Sequence, residues 1–281
     1  MKICRSIEEI KSFIRLAKSA GNTIGLVPTM GCFHQGHLSL MRLARQECQL
    51  VVVSLFVNPT QFGPGEDLLA YPRDFERDVD MASQEGVDVI FAPEPGEMYP
   101  PGYQTYVEVG EIANPLCGRS RPGHFRGVAT VVNKLFNLVE PDRAYFGQKD
   151  AQQVMVITQM VKDLNMNVKI VNAPIVREDD GLAMSSRNVY LSPGERKAAT
   201  VLSRSLQDAE QAVNNGETDA LALRKQITEK INTESMADID YVEILSIPDL
   251  EPIQVLRGQV LIALAVRFGK TRLIDNTIVE V

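Results

Sequence analysis

Ile24-Gly25-Leu26-Val27-Pro28-Thr29-Met30-Gly31-Cys32-Phe33-His34-Gln35-Gly36-His37 passes from a short apolar run into a glycine-bounded loop, and then into a segment carrying Leu38, Leu40, Met41 and Leu43. The apolar run reads as a buried strand and the spacing after Gly36 as an amphipathic helix, so the stretch is a strand, a loop and a helix start. The same alternation extends in both directions. Ser6 and Glu9 form a capping-box pattern ahead of Ile7, Ile10, Ile14, Leu16 and Ala17, which predicts a first helix ending near Gly21. Downstream, strands are expected at 50–57, 87–91, 144–146 and 168–171, with helices at 75–86, 127–139 and from Asp150 onward. Strands alternating with helices mean parallel βαβ units. The expected fold is α/β, a doubly wound, Rossmann-like parallel sheet, whose ligands bind outside the carboxyl ends of the strands.

A charged break, Arg177-Glu178-Asp179-Asp180-Gly181, interrupts this pattern. Ser192-Pro193-Gly194-Glu195 then predicts a long helix, with a cap, a proline at the first helical position and a glutamate three residues on. A second helix near 218–231 and strands at 241–247, 260–268 and 272–281 follow. The expected organisation is a first domain over 1–175 and a second, smaller α+β domain over 176–281.

Composition narrows the function classes. The 281 residues are 44% hydrophobic and 23% charged, as in an ordinary globular protein. The net charge of −7 argues against nucleic acid as a main partner, although a local basic pocket stays possible. No uncharged apolar run reaches the roughly 18 residues of a membrane span. Met1 to Arg5 lead into an amphipathic segment without a signal-peptide core, so the expected location is cytoplasmic, without membrane association. Cys4, Cys32, Cys48 and Cys117 show no zinc or dithiol spacing and are read as reduced; Cys32 is either a small filler or a reactive thiol.

The chain has three histidines, His34, His37 and His124, each near glycines at an expected loop or helix start. At such a helix N-terminus, backbone N–H groups and the positive dipole end favour a phosphate, and imidazoles three residues apart can both donate to it. A tight turn and a zinc site are the competing readings of His34 and His37, the latter lacking evident further ligands. Phe146-Gly147-Gln148-Lys149-Asp150 repeats the geometry, with Asp150 as a candidate N-cap, Lys149 as a positive charge for phosphate oxygens, and Gln153 one turn into the helix. Met184-Ser185-Ser186-Arg187-Asn188 offers two hydroxyls and a guanidinium, and Asn58 and Gln61 follow the strand at 50–57. Singly, each stretch also reads as ordinary surface; together they fall on one expected rim. His124 reaches that rim or caps the following helix. Asp74, Asp78 and Asp80 read as a solvated acidic face or a metal site.

Taken together, Pro28-Thr29-Met30-Gly31, His34-Gln35-Gly36-His37, Asn58-Pro59-Thr60-Gln61-Phe62, His124-Phe125-Arg126-Gly127-Val128, Phe146 to Asp150 and Met184 to Asn188 occur in the order of a known family. The chain resembles the pantoate–β-alanine ligases of the nucleotidylyltransferase superfamily over nearly its full length. Gln35 departs from the family, which often carries an acidic residue there. The resemblance implies an ATP-dependent ligase that makes pantoyl-adenylate and pyrophosphate from (R)-pantoate, then pantothenate and AMP from β-alanine, with Mg2+ accompanying ATP as cosubstrate. It implies an ATP site of Met30, Gly31, Cys32, Phe33, His34, Gln35, Gly36, His37, Gly147, Gln148, Lys149, Asp150, Val176, Met184, Ser185, Ser186 and Arg187. Within it His37, as proton donor, His34, Lys149 and Arg187 carry the catalysis. Gln61 would hold pantoate and β-alanine, and Gln153 pantoate; no metal ligand is assigned. A cytoplasmic homodimer, with the smaller domain covering the site, is implied as well. A nucleotidylyltransferase that stops at the adenylate, a class I aminoacyl-tRNA synthetase and a non-catalytic nucleotide sensor are the competing readings.

Overall fold

Each apolar run expected as a strand before residue 175 joins one parallel sheet in the computed structural model, which describes Met1–Val281. By its contacts the chain divides into a unit of Met1–Ala113, Cys117–Gly147 and Gln152–Pro174, and a unit of Asn114–Leu116, Gln148–Ala151 and Ile175–Val281. In chain order the first holds β1 (Lys2–Cys4), α1 (Ile7–Ser19), β2 (Ile24–Thr29), α2 (Gln35–Glu47), β3 (Leu50–Leu55), α3 (Phe75–Gln84) and β4 (Val89–Phe91). After these come α4 (Pro95–Met98), α5 (Cys117–Ser120), α6 (His124–Val139), β5 (Arg143–Gly147), α7 (Ala151–Asp163) and β6 (Lys169–Ala173).

The sheet order is β1-β4-β3-β2-β5-β6, and every pairing is parallel. β2 and β3 are buried along almost their whole length, which is why both read as unbroken apolar runs. From β2 the chain moves outward to β3 and β4, then returns through α6 to β5 on the other side of β2. The strand order therefore reverses at β2, where a doubly wound sheet opens its ligand crevice. The segments leaving the carboxyl ends of β3, β2 and β5 begin after Leu55, Thr29 and Gly147.

The second unit holds α8 (Pro193–Ala199), α9 (Val201–Asn214), α10 (Ala220–Ile231) and an antiparallel sheet of β7 (Ala237–Ser246), β8 (Gln259–Phe268) and β9 (Thr271–Glu280), ordered β7-β8-β9. α9 and α10 pack on this sheet around Leu202, Leu206, Leu223, Ile227, Val242 and Leu264. The expected long helix starts at the Ser192–Glu195 capping box but is interrupted at Thr200. There the β-branched Thr200 donates its hydroxyl to Lys197 O at 2.8 Å, a local bond that competes with the helical ladder.

Two further differences matter. β1 is an edge strand of three residues paired with β4, and only Cys4 of the three is buried, so no alternation betrays it. α6 begins at His124, not at Gly127, so Gly127 lies inside a helix. A Cβ on Gly127 would stand 2.4 Å from Thr60 O and 2.7 Å from Gln61 Cα, both main-chain atoms. Alanine ordinarily gains about 1 kcal/mol over glycine inside a helix. Here the contact reverses the sign, and Gly127→Ala is expected to lose about 1–3 kcal/mol in urea unfolding, as overpacked sites do. A gain in stability would show that the helix does not press on that turn.

Candidate active site

The loop after β2 is shaped by one carboxylate. Gly31 and Cys32 adopt left-handed backbone at φ 87° and 52°, which turns successive N–H groups to the same side. Asp78 of α3, 1% exposed, accepts from Cys32 N and Phe33 N, each at 2.7 Å. Gly31 has no room for a side chain, since a Cβ would lie 2.9 Å from Asp78 Oδ2. The acidic-face reading of α3 is thereby corrected: Asp74 caps the helix through Arg77 N, and Asp78 points inward as the loop's anchor. Burial pushes the Asp78 carboxyl above its ordinary range, against the pull of the two amide bonds. Burial, with Asp78 nearby, also pushes the Cys32 thiol up, which removes the basis for a reactive thiolate.

His34 and His37 cap α2 reciprocally. Gly36 N donates to His34 Nδ1 at 3.2 Å, and His34 N donates to His37 Nδ1 at 3.3 Å. A backbone N–H only donates, so each Nδ1 carries a lone pair and each neutral ring carries its proton on Nε2. The tight-turn reading and the phosphate reading are therefore not alternatives. Nδ1 builds the turn, and Nε2–H remains the ring's donor at a helix N-terminus. The two rings lie against each other with centroids 4.0 Å apart and planes tilted by 35°, Phe33 beside His37.

Gln61 sits in a short 3-10 turn after β3 and is held from both ends. Its Oε1 accepts from Asn58 Nδ2 at 3.0 Å, and its Nε2 donates to Met30 Sδ at 3.4 Å. Asn58, 1% exposed, is fixed in turn by donating to Gly127 O and by accepting from Thr60 Oγ1 and Tyr99 OH. Burial pushes Tyr99 up to about 12, so its hydroxyl stays a donor. On the main-chain side, Gln61 O accepts from His124 Nδ1 at 2.9 Å and from Arg121 Nη2 at 3.3 Å. Arg121 also donates to His124 Nε2 at 3.1 Å and clasps Glu66. Because a guanidinium only donates, His124 accepts at Nε2 and carries its proton on Nδ1, the opposite tautomer to the other two histidines. His124 is thus a support for Gln61, a role its position in the sequence did not disclose.

Gly147 ends β5, and Gln153 lies in the first turn of α7. The half-buried Gln148, Lys149 and Asp150 form a 3-10 turn that belongs to the second unit, and α7 starts only at Ala151, immediately after Asp150. In that unit Val176 and Met184 pair across a hairpin, through Met184 N to Val176 O at 3.0 Å. The hairpin leads to a 3-10 turn at Ser186–Tyr190, capped by Ser185 Oγ on Arg187 N and carrying Arg187. β9 packs against both turns, so Lys149 and Arg187 are mounted on one strand. The chain contains no group of three or more His, Cys, Asp or Glu residues placed to hold a metal. In the first unit, His34, His37, Gln61, Gly147 and Gln153 all follow the carboxyl ends of β2, β3 and β5.

The Asp78 anchor can be tested by stability. Asp78→Ala strands the buried Phe33 N–H and the Cys32 N–H, with an expected loss of about 1–3 kcal/mol for each amide left unpaired. Because its folded-state pKa is raised, the titration of Asp78 adds stability that is complete below the ordinary aspartate range and is lost as pH rises through the raised value. The difference in urea unfolding free energy between the native chain and Asp78→Asn should therefore fall as pH rises through this range.

The chain is similar to known proteins over its full length. The sequence model described as Pantoate-beta-alanine ligase matches residues 2–278. The pantothenate synthetase of Acetivibrio thermocellus is 62% identical over 281 residues, covering 100% of both chains. The crystal structure of pantothenate synthetase from Thermus thermophilus matches with a TM-score of 0.94 at 44% identity, over 99% of each chain. The pantoate-beta-alanine ligase of Francisella tularensis, complexed with beta-gamma ATP and beta-alanine, matches with a TM-score of 0.82 at 38% identity, over 99% of this chain and 97% of that one. A family match across the whole sheet and the smaller unit, with a relative of that identity at equal length, means that the chain belongs to the pantoate-beta-alanine ligase family.

Proposed function

We propose that this chain condenses (R)-pantoate with β-alanine at the expense of ATP, through a pantoyl-adenylate, releasing pyrophosphate and AMP. The observation that carries this reading is the reciprocal cap of α2, in which both imidazoles accept through Nδ1 and so keep their proton on Nε2. Pantoate's carboxylate, with a reference pKa near 4, is ionised at neutral pH and needs no base to attack the α-phosphorus. The enzyme's task is to gather the charge that builds on the phosphate oxygens and on the departing pyrophosphate. His34, His37, Lys149 and Arg187 supply donors for it, with His37 as proton donor. Met30 through His37, Gly147 through Asp150, Val176 and Met184 through Arg187 make up the nucleotide-binding set. Magnesium belongs in this reading with the substrate, entering as the MgATP complex.

Gln61 and Gln153 hold pantoate, and Gln61 also meets β-alanine. Neutral amides orient a carboxylate without the strong ground-state pairing an arginine would give. With its Oε1 held by Asn58, Gln61 offers the NH2 end of its amide to a carboxylate. The amine of β-alanine must lose a proton before the second step, its reference value being near that of lysine, about 10.4.

We place the reaction in the cytoplasm. None of the four cysteines is in a disulfide, which suits a reducing compartment. We expect a homodimer on the family resemblance, and sedimentation equilibrium decides it.

Pyrophosphate exchange into ATP tests the two-step reading. Exchange should require pantoate and proceed without β-alanine; no exchange with any hydroxy acid would instead favour a nucleotide sensor. His37→Ala should slow exchange by about 10²- to 10³-fold, as loss of one preorganised donor does. Near-normal exchange would remove the role of that imidazole. Gln61→Arg should lower turnover while pantoate still binds, and unchanged turnover would refute the case for neutral amides.

A further inference from the structure

β9 carries three consecutive buried polar residues, Asp275, Asn276 and Thr277, at 2%, 4% and 9% exposure. Successive residues of a strand face opposite sides, so Asp275 and Thr277 share one face and Asn276 takes the other. Asp275 pairs with Arg177, which also donates to Gly181 O and so ties down the hairpin leading to Arg187. Thr277 reaches Glu210 of α9. Asn276 reaches neither helix nor hairpin. Its Nδ2 donates to Gln148 O at 3.0 Å and to Lys149 O at 2.9 Å, while its Oδ1 meets Gln148 Nε2 at 3.5 Å.

Burying an amide costs free energy unless its hydrogen bonds are replaced, and packing on a strand does not by itself call for one. Here both amide hydrogens are spent on two consecutive carbonyls. That fixes the peptide planes on either side of Lys149, and with them the direction in which its side chain leaves the main chain. Residues 275 and 276 of one strand thus hold, side by side, the hairpin that leads to Arg187 and the turn that carries Lys149.

We propose that Asn276 is a positioning residue for ATP turnover, which sets the Lys149 ammonium relative to the Arg187 guanidinium. The proposal rests on the reading of Lys149 as a phosphate ligand.

The test is a double-mutant cycle of Asn276→Ala and Lys149→Ala, read as kcat/KM for ATP in pantoate-dependent pyrophosphate exchange, at a temperature below the melting transition of every variant. Asn276→Ala should lower kcat/KM for ATP by about 10- to 100-fold, in the range of small misplacements of a catalytic group, and leave KM for pantoate within about twofold. In the Lys149→Ala background it should cost less than about twofold, because the group it positions is gone. Asn276→Ser retains one donor, should fall between the native chain and Asn276→Ala, and serves alone if the alanine variant does not fold. An equal loss in both backgrounds, or a lowered melting temperature with unchanged ATP kinetics, would overturn the proposal and leave Asn276 a purely structural residue. If Lys149→Ala itself loses nothing, the phosphate reading of that lysine fails first and the proposal goes with it.

Discussion

An imidazole accepts a hydrogen bond from a backbone N–H only through a nitrogen that carries no proton, and His34 and His37 both do so with Nδ1. The consequence is chemical as well as structural. Each neutral ring must place its proton on Nε2, so one arrangement ends the loop, starts the helix and supplies two donors. A further proton on either ring would have to go to Nδ1 and break the cap. The buried carboxylate of Asp78 holds the preceding turn by two amides, so the cap forms at a fixed place after β2. Such preorganisation matters because donors whose position is already fixed need not be reoriented as charge develops.

The same economy appears elsewhere in the molecule with the opposite tautomer. His124 accepts from Arg121 and donates to Gln61 O, so it works as a fixed strut beneath the turn that carries Gln61. Asn58 does for the Gln61 side chain what His124 does for its main chain. In the second unit the charged groups come from two settings: the turn of Lys149 follows the carboxyl end of β5, and that of Arg187 follows a hairpin. Lys149 and Arg187 stand on separate turns backed by β9. The chain belongs to the pantoate-beta-alanine ligase family, and the proposed roles ask each unit for the kind of group it holds in place.

Much of the fold was legible in the sequence because its central strands, β2 and β3, are buried along almost their whole length and stand out as apolar runs between helices. β1 was not, being three residues long with one buried side chain. The histidine loop and the Lys149 stretch could be picked out because glycines and polar or cationic side chains coincide with helix starts there, and the Arg187 stretch because two hydroxyls stand beside a guanidinium. Their supports could not, since those are tertiary. Asp78 looked like one member of an acidic face, although its place three residues after Phe75 and four before the buried Ala82 puts it on the apolar stripe, a signal that was present. His124 acts on a residue 63 positions away, and Asn276 on turns 127 and 128 positions away. No local pattern encodes such pairings.

The most direct measurement is a long-range nitrogen–proton correlation spectrum of the three histidine rings at neutral pH, with each ring assigned by single substitution. His34 and His37 should both appear as neutral rings protonated at Nε2, and His124 as the single ring protonated at Nδ1. A proton on Nδ1 of His34 or His37 would contradict the reciprocal cap, and with it the Nε2 protons on which the proposed charge stabilisation rests.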